Sequence, residues 1–393
     1  MKDPAFARIA RRLAPLYVAA FFHAFVLWYT IEKLFMHTIG FDDAGIGLMV
    51  AAYSAVMLLC ETPSGILADR WSRKGTLMIA SIFLAIASLV CGISDGPLLY
   101  VIGSLVWAIF FSLYSGTYDS IIYDTVKEES GSGELYEKFF GRFRIIDSIG
   151  LVSSALIGGL LASWLGLHAV YFLTIPLAIG SLVALWLFEE PKLHKAGQHE
   201  NVVAHVRETF RLVLGQPAIL SLVALIIMII LTLVMVYEFN QLWLIAFATP
   251  PAWFGVGVSA VMAAGGVAGY FVGKVKHRRK AAKVWLHSVL LLSGLALTCV
   301  PYVALASIAL FLFAASGVSL NILAMRDLHD ALPSRVRAGA ASSLSTMARI
   351  LVIPVSLIFG AISTAANIFA AAWVLVVLAL CVLVLELRRL KVA

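Results

Sequence analysis

Several carboxylates and arginines stand inside runs that are otherwise apolar: Glu61, Asp119, Asp124, Arg142, Arg144, Asp147, Glu238 and Arg349. A charge among hydrocarbon is costly, so such residues face one another or a water-filled cavity and mark the paths of ions and substrates. Arg144 and Asp147 are three residues apart and share a helical face. Burial and a neighbouring cation act on a carboxylate in opposite directions, and their balance allows proton exchange near neutral pH. Glu61, Asp119, Arg144 and Asp147 are therefore candidates for proton coupling and for the lining of a substrate cavity. Static salt bridges that join helices are the alternative for the same residues. Glu238, Asn240 and Gln241 lie within the five-residue stretch Tyr237–Gln241 and mark a cavity wall or an outer gate, with amide packing as the alternative. Asn321 is of the same kind. Arg349 is read as snorkelling to the inner membrane surface.

Other chemistries lack their residues. There is no GxxxxGK[ST] loop, so ATP is not the direct power source. His194, His199 and His205 lack zinc-ligand spacing. Cys60, Cys91, Cys299 and Cys381 sit in apolar runs without CxxC spacing and serve as packing residues. No nucleophile–base or metal arrangement is visible. The expectation is no enzyme, no cofactor and no metal.

The elements that position these residues follow from composition. The 393 residues are 62% hydrophobic and 13% charged, with a mean hydropathy of +0.97. A soluble domain is about 45–50% apolar and about 25% charged, so the chain belongs in a lipid bilayer. Crossing about 30 Å of hydrocarbon takes about 20 apolar residues. Twelve such stretches occur, at 13–36, 44–68, 75–94, 97–126, 139–165, 168–188, 217–247, 252–274, 282–300, 302–325, 338–362 and 364–387. The fold class is thus all-α integral membrane, and the absence of strict alternation argues against a β-barrel. The basic Met1–Arg12 stretch leads into an apolar run too long for a signal peptide. Lys and Arg crowd the alternate short loops that an amino terminus in the cytoplasm would leave inside, with Lys33 alone on the other side. Both termini are then cytoplasmic, and the net charge of +7 is accounted for without nucleic acid.

A longer loop separates two halves of six spans each: 1–190, a linker at 191–216, and 217–393. Within the linker Val202, Val206, Phe210 and Val213 lie at helical spacing opposite Arg207, Glu208 and Arg211, which predicts an interfacial amphipathic helix over 199–214. The halves echo each other. Gly65-Ile-Leu-Ala-Asp-Arg-Trp-Ser-Arg-Lys74 aligns at an offset of 204 with Gly269-Tyr-Phe-Val-Gly-Lys-Val-Lys-His-Arg278, where Gly273 replaces Asp69. Gly265, Gly269 and Gly273 also repeat every four residues, a spacing that lets helices approach closely.

The decapeptide from Gly65 to Lys74 resembles the signature loop of the major facilitator superfamily, G-x-L-a-D-r-x-g-r-K, with Ser72 at the second glycine. Glu61–Gly65 and Ser115–Asp124 resemble a broad bacterial subgroup of uncharacterised and drug-exporter-like members. The resemblance implies two pseudo-symmetric six-helix bundles, residence in the inner membrane of a bacterium, and a gate built on Gly65, Asp69, Arg70, Arg73 and Lys74. Asp124 would join Asp69 and Arg73, and Asp69 would latch onto the start of the eleventh span near Arg337–Ala340. Two features depart from the drug/proton antiporters of the superfamily: Ser112 stands where they carry arginine, and Ser154-Ala155 replaces a Gly-Pro pair. The expected function is alternating-access secondary transport of a small molecule by a monomer, as proton-coupled export of an amphipathic or cationic compound. Proton symport or facilitated uptake of a metabolite is the alternative within transport, and a non-transporting membrane sensor or scaffold is the alternative outside it.

Overall fold

The computed structural model describes residues 4–192, 217–274, 279–332 and 337–392. The expected linker helix at 199–214 lies outside them. The described residues form helices and no strands. They are α1 (Pro4–Ala24), a 3₁₀ turn (Leu27–Ile31), α2 (Glu32–Thr38), α3 (Asp43–Arg70), α4 (Arg73–Gly92), α5 (Pro97–Tyr114), α6 (Thr117–Ser130), α7 (Tyr136–Leu165) and α8 (Leu167–Leu187). They continue with α9 (Pro217–Ala246), α10 (Pro251–Lys274), α11 (Arg279–Leu297), α12 (Val303–Ala331), α13 (Arg337–Ala365) and α14 (Ile368–Val392). Eleven helical segments are long and apolar enough to cross a membrane, and the shorter Ala281–Leu297 makes the twelfth. Two spans are interrupted. The first breaks at Phe25–Val26 between α1 and the 3₁₀ turn, and the fourth breaks at Ser115–Gly116 between α5 and α6. Gly116 has φ +77°, a left-handed conformation that side chains resist, so the break falls where glycine permits it.

The helices gather into two compact units. Unit 1 is Met1–Phe41, Ala55–Gln198 and Pro250–Ser259; unit 2 is Asp42–Ser54, His199–Thr249 and Ala260–Ala393. The helices α3 and α10 therefore each divide between the two units. In unit 1, α4 lies between α5 and α8, and α1 packs on α7 and α8. In unit 2, α9 is central and touches α12, α13 and α14.

Lipid as solvent explains the surface. Large apolar side chains such as Leu59, Leu98, Ile145 and Leu292 are exposed, where a soluble protein would bury them. Exposed Trp164, Trp186, Trp253 and Trp373 lie near helix ends, where indole rings favour the headgroup level. Buried hydroxyls mostly bond back to their own helix, as Thr174 does to Val170 O at 2.8 Å and Thr232 to Met228 O at 2.7 Å, which spares most of them an unmet donor in hydrocarbon; Thr30 and Thr249 are exceptions among the described residues.

Close approaches between helices use glycines other than the expected stripe. A Cβ at Gly47 would lie 2.5 Å from the Ser356 carbonyl oxygen, and one at Gly360 2.5 Å from that of Asp43, so the start of α3 crosses α13 backbone to backbone within unit 2. In unit 1, Gly159 and Gly255 meet at the crossing of α7 with the start of α10, and Gly158 abuts the Leu27 carbonyl of the 3₁₀ turn. Gly265, Gly269 and Gly273 have nothing within 4 Å of an added Cβ, which corrects the packing role expected from their spacing. Periodicity put them on one face, but a side chain added there meets nothing within 4 Å among the described residues. Gly158→Ala should therefore cost about 1–3 kcal/mol through overpacking, whereas Gly265→Ala should stay within about 0.5 kcal/mol of the parent. Thermal unfolding of the two variants in detergent tests this, and equal losses would refute it.

Candidate functional site: the acidic face and signature loop of unit 1

The α3–α4 turn is built from its own polar side chains. Ser72 caps α4, its hydroxyl accepting from Gly75 N at 2.8 Å and donating to Glu190 at 2.7 Å. The serine at the expected second glycine thus has a defined task. Lys74 donates through Nζ to the carbonyls of Trp186 at 2.9 Å and Phe188 at 2.6 Å, satisfying the open end of α8, and its backbone N–H donates to Glu190 at 3.1 Å. Arg73 donates to the Ser120 carbonyl at 3.0 Å and pairs with Asp124, and its other nitrogen reaches Asp69 at 3.3 Å. Asp69, Arg73 and Asp124 therefore meet, with the Asp69 side chain 68% exposed. Gly65 and Arg70 lie on the exposed side of α3, and an added Cβ at Gly65 meets nothing within 4 Å. The same end of the unit is laced further by Arg12, which pairs with Glu128 at 2.9 Å and Glu129 at 2.7 Å.

Farther along the helices stand the three carboxylates, of which Asp119 is exposed. Glu61 is nine residues before the end of α3, Asp119 eleven before the end of α6, and Asp147 eleven after the start of α7. At about 1.5 Å per residue these are depths of about 14–17 Å. Asp119 sits in the first turn of α6, because the Gly116 break creates a helix start in mid-span, and the positive end of the helix dipole favours an anion there. Tyr136 donates its hydroxyl to Asp119. Tyr114 donates to Asp147 at 2.6 Å, while Arg144 is 3.9 Å away with its side chain 65% exposed. The expected arginine–carboxylate cluster is thus loose, and phenols are the immediate partners. Glu61 Oε2 is buried with no hydrogen-bond partner among the described residues. Its helix is tied to α5 by Ser64, which donates to the carbonyl of Ser112 at 3.0 Å.

Beside this face lies a residue that sequence reasoning passed over. His23 is 2% exposed, with Nδ1 2.9 Å from the Tyr118 hydroxyl and Nε2 2.7 Å from the Ser81 hydroxyl, and Ser181 donates to Ser81 at 2.8 Å. Its ring packs edge-on against Phe110, Tyr114 and Tyr118. It was visible as an ionisable group within the first apolar run. Lys33, expected on the outer side, is buried and pairs with Glu32 at 2.9 Å.

In unit 2, Asn240 and Gln241 are buried and Glu238 half-buried. Asn240 turns its amide onto its own helix, donating to Val236 O at 3.1 Å and Tyr237 O at 2.7 Å. An ion cluster without a strong sequence signal joins three helices: Lys283 of α11 meets Asp327 of α12 at 3.0 Å and Glu386 of α14 at 2.8 Å, and Arg389 meets Asp327 at 2.7 Å. No group of three or more potential metal-ligating residues occurs among the described residues.

The ion pairs of the signature loop yield a ranking. Asp124→Asn, which leaves the half-buried Arg73 with a weakened partner, should cost about 1.5–3 kcal/mol. Asp69→Asn, at a mostly exposed partner, should cost less than about 1 kcal/mol. Thermal or denaturant unfolding of the two variants measures both, and the reverse order would refute the geometry.

Comparison with known proteins follows the same lines. Residues 13–357 match the family model described as Major Facilitator Superfamily. The uncharacterized MFS-type transporter YxaM of Bacillus subtilis is 21% identical over 199 residues, 48% of this chain and 47% of YxaM. The matched stretch thus spans about half the length of that relative. Among solved structures, a point mutant of the nucleoside transporter NupG superposes with a TM-score of 0.78 at 15% identity, covering 98% of this chain and 99% of that one. A bacterial homologue of the human lysosomal transporter Spinster gives 0.75 at 16% identity, covering 100% and 97%. At these identities the structures speak for the fold alone, which is the twelve-helix arrangement found here. With the family model matched across most of its length, the chain belongs to the Major Facilitator Superfamily.

Proposed function

We propose that the protein is a secondary transporter of the bacterial cytoplasmic membrane that moves a small molecule by alternating access, with protons as the coupled ion. In this reading the halves 1–190 and 217–393 rock about a central site, joined by the linker 191–216. The observation that carries the proton coupling is the partnering of the carboxylates. Asp119 and Asp147 accept from tyrosine hydroxyls, and Glu61 leaves an oxygen without a partner. A carboxylate held by a neutral phenol can gain or lose a proton without breaking a close ion pair. The drive available is about 2.3 kcal/mol per charge per 100 mV, with about 1.4 kcal/mol for each pH unit.

Asp69, Arg73 and Asp124 serve as the cytoplasmic gate, and an Asp69 latch to the start of α13 is part of the same proposal. The exposure of Asp69 suits a group that changes partners. The drug-exporter-like stretches Glu61–Gly65 and Ser115–Asp124 support export as the direction, with an amphipathic molecule as cargo. Lys and Arg in alternate loops support cytoplasmic termini.

Double electron–electron resonance tests the cycle without knowledge of the cargo. After replacement of the four cysteines, spin labels at Lys127 and Arg326 should report two distance populations whose ratio changes between acidic and alkaline pH. Asp147→Asn should remove that pH response. A single population indifferent to pH would overturn the proposal.

A further inference from the structure

Arg349 is the thirteenth of 29 residues in α13, twelve beyond Arg337, or about 18 Å along the helix axis. Its Nε is buried without a hydrogen-bond partner, and among the described residues no carboxylate lies within ion-pair distance of its guanidinium. The contrast within unit 2 is sharp. Lys283 and Arg389, the other cations held among its packed helices, each meet two carboxylates. Asp327 and Glu386 are taken up by that cluster, Asp330 lies 4.0 Å from Arg326, and Asp43 accepts from Ser363. Asp42 accepts from Gly45 N at 2.7 Å, and Glu238 on α9 has an interaction of its own, so none of these pairs with Arg349.

The direction of the side chain follows from spacing. Arg349, Ser356 and Ser363 are seven residues apart, and sevens drift by only about 20° around a helix. Ser356 and Ser363 occupy the face of α13 that crosses the start of α3, as the Gly47 approach and the Ser363–Asp43 hydrogen bond establish. By spacing, Arg349 lies two turns along the same row, beyond the glycine crossing and on the far side of Pro354. Arg349 as a whole is half-buried, and its terminal nitrogens are not among the buried unpartnered atoms; a guanidinium in the middle of a span with no protein counter-ion is costly unless it meets water, and such residues line substrate paths. Its planar fork of donors matches the two oxygens of a carboxylate or phosphate.

We propose that Arg349 binds an anionic group of the cargo, which is therefore a small organic acid bearing a carboxylate or a phosphonate-type head. The inference rests on the transporter reading above and names the substrate class of the same path. It replaces the cationic cargo suggested by the acidic residues of unit 1, which then serve the protons.

The test is thermal unfolding of the purified full-length protein in neutral detergent, titrated with benzoate, phenylphosphonate, benzamide and benzylamine. Benzoate or phenylphosphonate should raise the melting temperature saturably, and benzamide, which lacks the charge, should not. Whichever of the two anions acts assigns the head group. Arg349→Gln should weaken that anion by about tenfold or more, with Arg349→Lys intermediate. Without ligand, Arg349→Met should melt no lower than the parent, because a charge without a partner is removed. A marked loss of stability in Arg349→Met would reveal a structural ion pair and overturn the assignment. So would stabilisation by neither anion, or an anion response unchanged in Arg349→Gln. Stabilisation by benzylamine or benzamide alone would overturn it while leaving the transporter reading intact, because the spin-label populations test that reading independently.

Discussion

Hydrocarbon offers no hydrogen bonds, and most of this structure is organised by that fact. Backbone groups are satisfied within helices, and buried serines and threonines fold back onto the turn before them. Charges that must be buried are paired, as Lys33 is with Glu32 and Lys283 with Asp327 and Glu386. Among the described residues, buried polar atoms without a partner remain at Thr30, Glu61, Arg73, Asn240, Thr249, His287, Asn321 and Arg349. Asp147 and the exposed Asp119 rest on phenols. Groups that the protein leaves unsatisfied are those that protons, water or cargo can satisfy, and Glu61 and Arg349 are the two of them on which the proposals above draw.

The two units solve one mechanical problem with different residues. In unit 1, the start of α4 is tied to α6 by Arg73, to α8 by Lys74, and by Ser72 to Glu190 just beyond α8. In unit 2, the start of α11 is tied to α12 and α14 by Lys283, with Arg389 completing the cluster. The second copy of the signature loop, where Gly273 stands for Asp69, understates this likeness. Internal symmetry persists in which helices are joined after the residues that join them have changed.

Much of this was legible in the sequence, because a span of apolar residues is a one-dimensional signal. The meeting of Asp69, Arg73 and Asp124 was also legible, since they sit on a short turn and a nearby helix end. The partners of the deep carboxylates were not. Spacing linked Arg144 to Asp147, yet the hydroxyl of Tyr114, 33 residues away, is the closer group, and a tyrosine in an apolar run reads as an interface anchor. His23 needed Ser81, Tyr118 and Ser181 beside it, which only the fold assembles. The glycine stripe on α10 shows the converse error, because periodicity names a face without naming a neighbour.

The interruption at Ser115–Gly116 has a mechanical consequence. The fourth span, Pro97–Ser130, is 34 residues long, and its ladder of backbone bonds is broken near the middle. Bending costs least where those bonds are already missing, so the segment works as two stiff levers on one joint rather than as a single rod. The upper lever is almost wholly apolar, whereas the lower carries Asp119, Asp124 and the contacts to Arg73 and Tyr136. Asp119 therefore stands on the lower lever, which is bonded to α7 through Tyr136 and to the start of α4 through Arg73, while the upper lever packs along α4.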